Sequence, residues 1–257
     1  MAGPLSIARR VRQLATRLLP ATSVARVEGL SLEVDPRTEI GRTLWRGRPF
    51  EARERELAGD LLRERHGEER AIVDVGAHVG LHALTWARRF PHARVIAIEP
   101  SPVTCARLAR NVARNQLAVE VREVALADHI GEGDLHVTDD DAYAGLSDTR
   151  RKPILDLIAV EVTTLDAIAT DLRLGLVKID VEGHEDDVIA GGRRSLLRDR
   201  PVLVVEIYGG VASNPDPEGT VARICELGYT AHVLGARGLE RAGRHDDARY
   251  NYFFLPS

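Results

Sequence analysis

Cysteine is nearly missing from this 257-residue chain, which has only Cys105 and Cys225, far apart and in segments of helical pattern. Neither sits in a C-x-x-C pair or a metal-type spacing, so both read as small buried apolar residues. Long apolar runs are missing too. No stretch of eighteen apolar residues occurs, and the N-terminus lacks the apolar core and small-residue cleavage site of a secretory signal. The expectation is a cytoplasmic chain with no integral membrane segment. A surplus of either charge is the third absence: 35 Lys and Arg face 39 Asp and Glu, for a formal net charge of −4. Such a surface exerts no global pull on nucleic acid, which is not expected as a partner. The length suits one sizeable α/β core with a modest extension.

What is present centres on Ala71 to Gly80, AIVDVGAHVG. A short apolar run ends in Asp74, Gly76 and Gly80 bracket a sharp turn, and LHALTWARRF follows with helical spacing. That is a buried strand, a tight loop and a helix start. Unpaired N–H groups and partial positive charge at the helix start make such a loop a binding site for a nucleotide-type ligand. A dinucleotide would require G-x-G-x-x-G, its second glycine admitting the pyrophosphate. Here the spacing is D-x-G-x-x-x-G, and His78 stands where bare backbone would be needed. S-adenosylmethionine, with an amino-acid end and a ribose end, fits better, and Asp74 is the expected partner of its ammonium.

A second apolar strand, ARVIAIE, ends in Glu99, 23 residues beyond Gly76. An acidic residue at that position accepts hydrogen bonds from ribose hydroxyls in α/β nucleotide folds. Glu99 can also act as a helix cap beside Ser101 and Pro102. Val119 to Leu126 reads as the third strand, with Ala125 and Leu126 as an apolar wall beside an adenine. Gly131 to Arg151 is polar and rich in turn formers, with the acidic run Asp139 to Asp141 and the stretch Tyr143 to Ser147. The alternating segments that flank it suggest a hairpin-like insertion over the ligand face, its loop a candidate lid or acceptor-recognition element. Leu176 to Glu182 is the next buried strand and runs into Gly183-His184-Glu185-Asp186-Asp187 at a helix start. Asp180, Glu182 and His184 thus reach the same sheet edge as Asp74 and Glu99. Three ionisable groups in five residues are costly unless solvated, paired or used.

PVLVVEIY, YTAHVL and RYNYFFLP supply the later strands, with a helix from Glu218 to Leu227. Seven core strands separated mainly by helices predict a doubly wound, mostly parallel sheet with an antiparallel terminal strand. Ahead of it, Val27 to Phe50 alternates as a short hairpin and Phe50 to Arg65 turns helical. From Ser6 to Leu19, arginines alternate with Ile7, Val11, Leu14, Leu18 and Leu19, an amphipathic pattern that suits a membrane surface, a partner or the protein's own body. The expected division is residues 1–26 as this segment, 27–70 as hairpin and helix cap, and 71–257 as the cofactor-binding domain.

VDVGAHVGLHAL, AIEPSP, VALADHIGEGDLHV, VTTLD, VKIDVEGHEDDVIAGG and PVLVVEIY together resemble the FkbM-type S-adenosylmethionine-dependent methyltransferases over about residues 27–256. The resemblance implies a class I methyltransferase (Rossmann-like) fold with strand order 3-2-1-4-5-7-6. It also implies O-methylation of a hydroxyl, often on a sugar or a polyketide. His78 is a departure, since the family usually carries Asn there; an imidazole can still supply one hydrogen bond.

The expected cofactor contacts are therefore Asp74, Gly76, Ala77, His78, Gly80, Glu99, Ala125 and Leu126, with His184, Asp180 and Glu182 at the reacting end. A hydroxyl is a weak nucleophile, and His184, whose unperturbed pKa is about 6.5, is the natural base. Asp180 or Glu182 would orient it, touch the cofactor or hold a divalent cation through oxygen, though no metal is predicted. A nicotinamide-dependent enzyme and a non-catalytic cofactor-binding protein are the competing classes. The glycine spacing disfavours the first, and four carboxylates on one rim disfavour the second. The expected partner is a small-molecule or glycan acceptor.

Overall fold

In a computed structural model, residues 18–138, 140–141, 144–147, 152–209 and 214–257 are described. Nearly all of the Ser6 to Leu19 segment, and Asp139 and Tyr143 of the insertion, lie outside the described residues. The chain enters through an antiparallel hairpin of β1 (Ser23–Val27) and β2 (Leu30–Val34). Beyond it, the stretch expected to continue the hairpin is instead α1 (Glu39–Trp45), started by Thr38, whose hydroxyl accepts a hydrogen bond from Gly41 N. That cap satisfies one of the helix's unpaired donors, which alternation of apolar residues alone does not register. α2 (Ala52–His66) follows as expected.

From there the chain alternates. β3 (Ala71–Val75), α3 (Leu81–Arg89), β4 (Val95–Ile98), α4 (Pro102–Asn115) and β5 (Val119–Arg122) form the first half of the sheet. Next come β6 (Ala125–Leu126), β7 (Gly131–Thr138) and β8 (Ile154–Thr163), then α5 (Leu165–Ile168), β9 (Leu174–Ile179), α6 (Glu185–Gly191), α7 (Arg193–Asp199) and β10 (Val202–Glu206). α8 (Pro217–Glu226), β11 (Tyr229–Gly235), β12 (Gly238–Arg241) and β13 (Asn251–Pro256) complete it. The main sheet runs β12-β11-β13-β10-β9-β3-β4-β5. From β5 to β11 this is the expected 3-2-1-4-5-7-6 order. The strand count is eight rather than seven because the short polar β12 pairs with β11 at the edge.

Both faces of the central strands are apolar because both are covered. Ala71, Val73 and Val75 pack on one side with Leu165, Val188, Leu196 and Ile224 of α5 to α8. Ile72, Leu176 and Val204 pack on the other with Ala58, Leu62, Ala83 and Trp86 of α2 and α3. The sheet is doubly wound. The expected third strand is split: β5 ends at Arg122, and β6 leaves the main sheet to pair with β8, which pairs antiparallel with β7. That small second sheet is the insertion, held against the carboxyl end of the main one. No helix among the described residues is long and apolar enough to cross a membrane.

Candidate functional site

The site starts where β3 stops. Gly76 has a φ of +76°, and a Cβ there would sit 1.8 Å from the carbonyl oxygen of Asp180. Only glycine lets the ends of β3 and β9 approach so closely. Gly76 N and Ala77 N donate to Ile98 O at 3.0 and 2.9 Å, which fastens the loop to the end of β4. His78 takes up left-handed backbone at φ +51°, and its N–H donates to Glu99 Oε2 at 3.0 Å. Glu99 Oε1 accepts from Ser101 N at 3.0 Å, so Glu99 is both rim carboxylate and loop fastener. Its burial pushes the carboxyl up to about 7, against the pull of His78 and the two backbone donors.

A cleft opens beside it, enclosing about 680 Å³ including its mouth. Gly76, His78, Glu99, Ala125, Leu126, Asp180, Glu182 and His184 all line it. Asp74, Ala77 and Gly80 do not. Asp74 is 0% exposed, and its Oδ2 accepts from Ala83 N at 3.0 Å in the first turn of α3. The direct ammonium contact expected of Asp74 is thus replaced by a helix-start contact, since those N–H groups need an acceptor. Ala77 is buried behind the loop, and Gly80 packs against Leu108, where a Cβ would clash at 2.4 Å.

At the other end of the cleft, Asp180 Oδ2 accepts from Lys178 Nζ at 2.8 Å. Lys178 is 3% exposed. Burial works against its charge, yet Asp180, Asp74 and Glu51 hold its ammonium above the ordinary lysine range. Asp180, Glu182 and Glu206 each bring one carboxylate oxygen within 4.8 Å of the others. Burial, and then the charges of Asp180 and Glu51, hold Glu206 well above the usual carboxylate range. Glu182 is left-handed at φ +52°, a second strained backbone on the rim. His184 lies between two partners: Nδ1 is 2.8 Å from Asp187 Oδ2, and Nε2 is 3.0 Å from Ser147 Oγ. A carboxylate on one ring nitrogen and a hydroxyl on the other is the arrangement of a general base awaiting a hydroxyl.

Several lining residues escape sequence reasoning. Asp141 lies within a run of acids that reads as a solvated loop, and Ile40 reaches the cleft from α1. Lys178 does not line the cleft but holds Asp180 from within β9, and a strand read simply as buried does not single it out.

Residues 74–231 match the family model described as the Methyltransferase FkbM domain. The chain belongs to the FkbM methyltransferase family. The FkbM domain contains every residue that lines the cleft except Ile40. Among its relatives, the 2-O-methyltransferase NoeI of Sinorhizobium fredii is 32% identical over 160 residues, which cover 54% of this chain and 65% of NoeI. The hexuronic acid methyltransferase AglP of Haloferax volcanii is 26% identical over 187 residues, or 70% of this chain and 73% of AglP. The 31-O-demethyl-FK506 methyltransferase FkbM of Streptomyces tacrolimicus is 29% identical over 172 residues, or 53% of this chain and 66% of that protein.

Proposed function

We propose that this FkbM-family chain transfers a methyl group from S-adenosylmethionine to a hydroxyl of a sugar, polyketide or other small-molecule acceptor. The observation that carries the reading is that Glu99 and His184 open onto one cleft at the carboxyl edge of the sheet. The residues fit the cofactor. Each Glu99 oxygen accepts one backbone N–H, and a carboxylate has about four acceptor positions, so capacity remains for two ribose hydroxyls. Val124, Ala125, Leu126 and Pro100 give an apolar slot of the kind an adenine requires. The names of the three relatives, a 2-O-methyltransferase, a hexuronic acid methyltransferase and a 31-O-demethyl-FK506 methyltransferase, support oxygen as the acceptor atom.

S-adenosylmethionine, when bound, supplies an electrophilic methyl carbon on a sulfonium. The chain's own share is alignment, exclusion of water and removal of one proton. An acceptor hydroxyl that takes the place of Ser147 Oγ donates to His184 Nε2. With the cofactor bound as methyl donor, Nε2 would take up the proton that this hydroxyl gives up on methylation. Asp187 at Nδ1 fixes the ring and balances the imidazolium, as a carboxylate does in hydrolytic triads. Asp180, engaged by Lys178, lies on the same rim.

Calorimetry with S-adenosylmethionine, with NAD as the comparison, tests the reading. Wild type should bind the former only, and Glu99→Ala should weaken that binding by roughly 1.5–3 kcal/mol through loss of charge-assisted hydrogen bonds. A folded Glu99→Ala protein with an unchanged dissociation constant would remove Glu99 from the site, and failure of wild type to bind S-adenosylmethionine would remove the cofactor assignment.

A further inference from the structure

Asp141 belongs to the insertion, in the turn that follows β7, yet its carboxylate is held by two elements of the cofactor side. Oδ1 lies 3.0 Å from His78 Nε2, and Oδ2 accepts from Arg107 Nη1 of α4 at 2.8 Å. Burial opposes the charge of Asp141, but His78 and Arg107 outweigh it and bring the carboxyl down to about 2. Burial likewise opposes the charge of His78, and Asp141 and Glu99 raise it above its ordinary value. The His78 contact lacks a well-directed hydrogen bond, so charge is what holds it.

The turn is fastened on its other side as well. Asp140 Oδ2 accepts from Glu39 N, the first residue of α1, at 3.0 Å. Just downstream, Ala144, Gly145 and Leu146 line the cleft and Ser147 reaches His184. Upstream, the backbone of His78 holds Glu99. Contacts therefore run from Glu99 through His78 to Asp141, which lies three residues ahead of the Ala144 to Ser147 segment that lines the cleft and touches His184.

We propose that Asp141 is a positioning residue that fastens the insertion to the glycine loop through His78 and Arg107, so that cofactor on Glu99 orders the acceptor side of the cleft. The proposal rests on the cofactor reading given above. A hairpin tip that is not fastened must lose conformational freedom each time an acceptor binds. The clasp lifts part of that cost in advance. By reciprocity, if the cofactor tightens the clasp, the clasp tightens the cofactor by the same factor.

The test combines calorimetry with hydrogen exchange of Gly145 to Ser147, with and without S-adenosylmethionine, in wild type, Asp141→Asn, His78→Asn and the double variant. His78→Asn keeps the backbone donor to Glu99 and serves if Asp141→Asn does not fold. In wild type the cofactor should slow exchange at these amides. Either single variant should lose that protection and bind roughly tenfold more weakly. The double variant should be no worse than a single one, because the two residues act as one unit. A role confined to general stability would instead give additive losses and leave the protection in place. Binding by wild type with unmoved or additive variants would overturn the clasp alone. Failure of wild type to bind S-adenosylmethionine would overturn the cofactor reading and the clasp together.

Discussion

His184 is the residue proposed as the base, and its neighbours define what its removal should do. With Asp187 on one nitrogen and a hydroxyl on the other, the imidazole has no part in holding Glu99 or the glycine loop. His184→Ala should therefore lower methyl transfer by about 10²-fold or more while cofactor affinity stays close to wild type. Single-turnover rates beside calorimetry check this, and a variant turning over at the wild-type rate would pass the role to Glu182. At this scale the sequence is a fair guide to which residues reach the rim and a poor guide to their orientation. Glu99 is legible because it directly follows an apolar strand, and His184 because it caps the helix that follows one. Asp74 ends such a strand too, but nothing in AIVDVG says that its carboxylate turns inward to Ala83 N. Asp141 is illegible for a different reason. Its partner Arg107 is 34 residues away, and a run of three acids usually signals solvent.

Among the elements, the N-terminal hairpin is tied to the body by Asn115, Arg110 and Arg55, and to the glycine loop through Asn111. Asn111 of α4 is 0% exposed. Its Oδ1 accepts from Glu33 N at 2.6 Å, and its Nδ2 donates to Glu33 O at 3.1 Å and Val79 O at 2.9 Å. β2, α4 and the glycine loop thus share a single amide. Asn111→Ala leaves three buried backbone groups without partners and should cost about 2–3 kcal/mol of stability in urea unfolding. A loss under 0.5 kcal/mol, on the order of an ordinary surface change, would show that the apolar contacts of β2 and its bonds to Asn115 and Arg110 suffice to hold it. The strands that continuous apolar runs mark (β3, β4, β9 and β10) are legible because burial on both faces requires such runs. α1 is not, since TLWRGRP (Thr43 to Pro49) reads as strand and turn, and only the Ile40–Leu44 spacing and the Thr38 cap betray a helix. The break between β5 and β6 leaves a trace in the sequence. The apolar positions shift phase from Val119 and Val121 to Val124 and Leu126 across Arg122-Glu123, and the two halves pair with different sheets.

Across the whole molecule, the modest net charge conceals carboxyls pushed in opposite directions. Burial raises Glu185, which accepts from Gly183 N and Asn214 Nδ2, to about 7, and Glu99 likewise. A carboxyl whose folded pKa is raised binds its proton more tightly in the native state. Its stabilisation is fully present below about 4.5 and is lost as pH rises through about 7. Glu51 and Asp141, both lowered to about 2, behave oppositely, and their contribution disappears only as pH falls toward that value. Between pH 5 and 8 the raised groups dominate. Wild type should therefore lose on the order of 3 kcal/mol more than Glu185→Gln over that interval. Denaturant titrations at the two pH values measure it, and a difference between the proteins that does not change with pH would refute the assignment.

The position of β13 bears on how the chain comes to be folded at all. It is made after both β10 and β11, yet it lies between them in the sheet. While the chain is still emerging from the ribosome, β11 and β12 can pair with each other but cannot join the sheet, and β10 presents an open edge. Unpaired edges recruit other chains, so this interval is when aggregation competes with folding. Slowing translation just ahead of Asn251 would lengthen that exposure, and shortening the chain before it would make the exposure permanent.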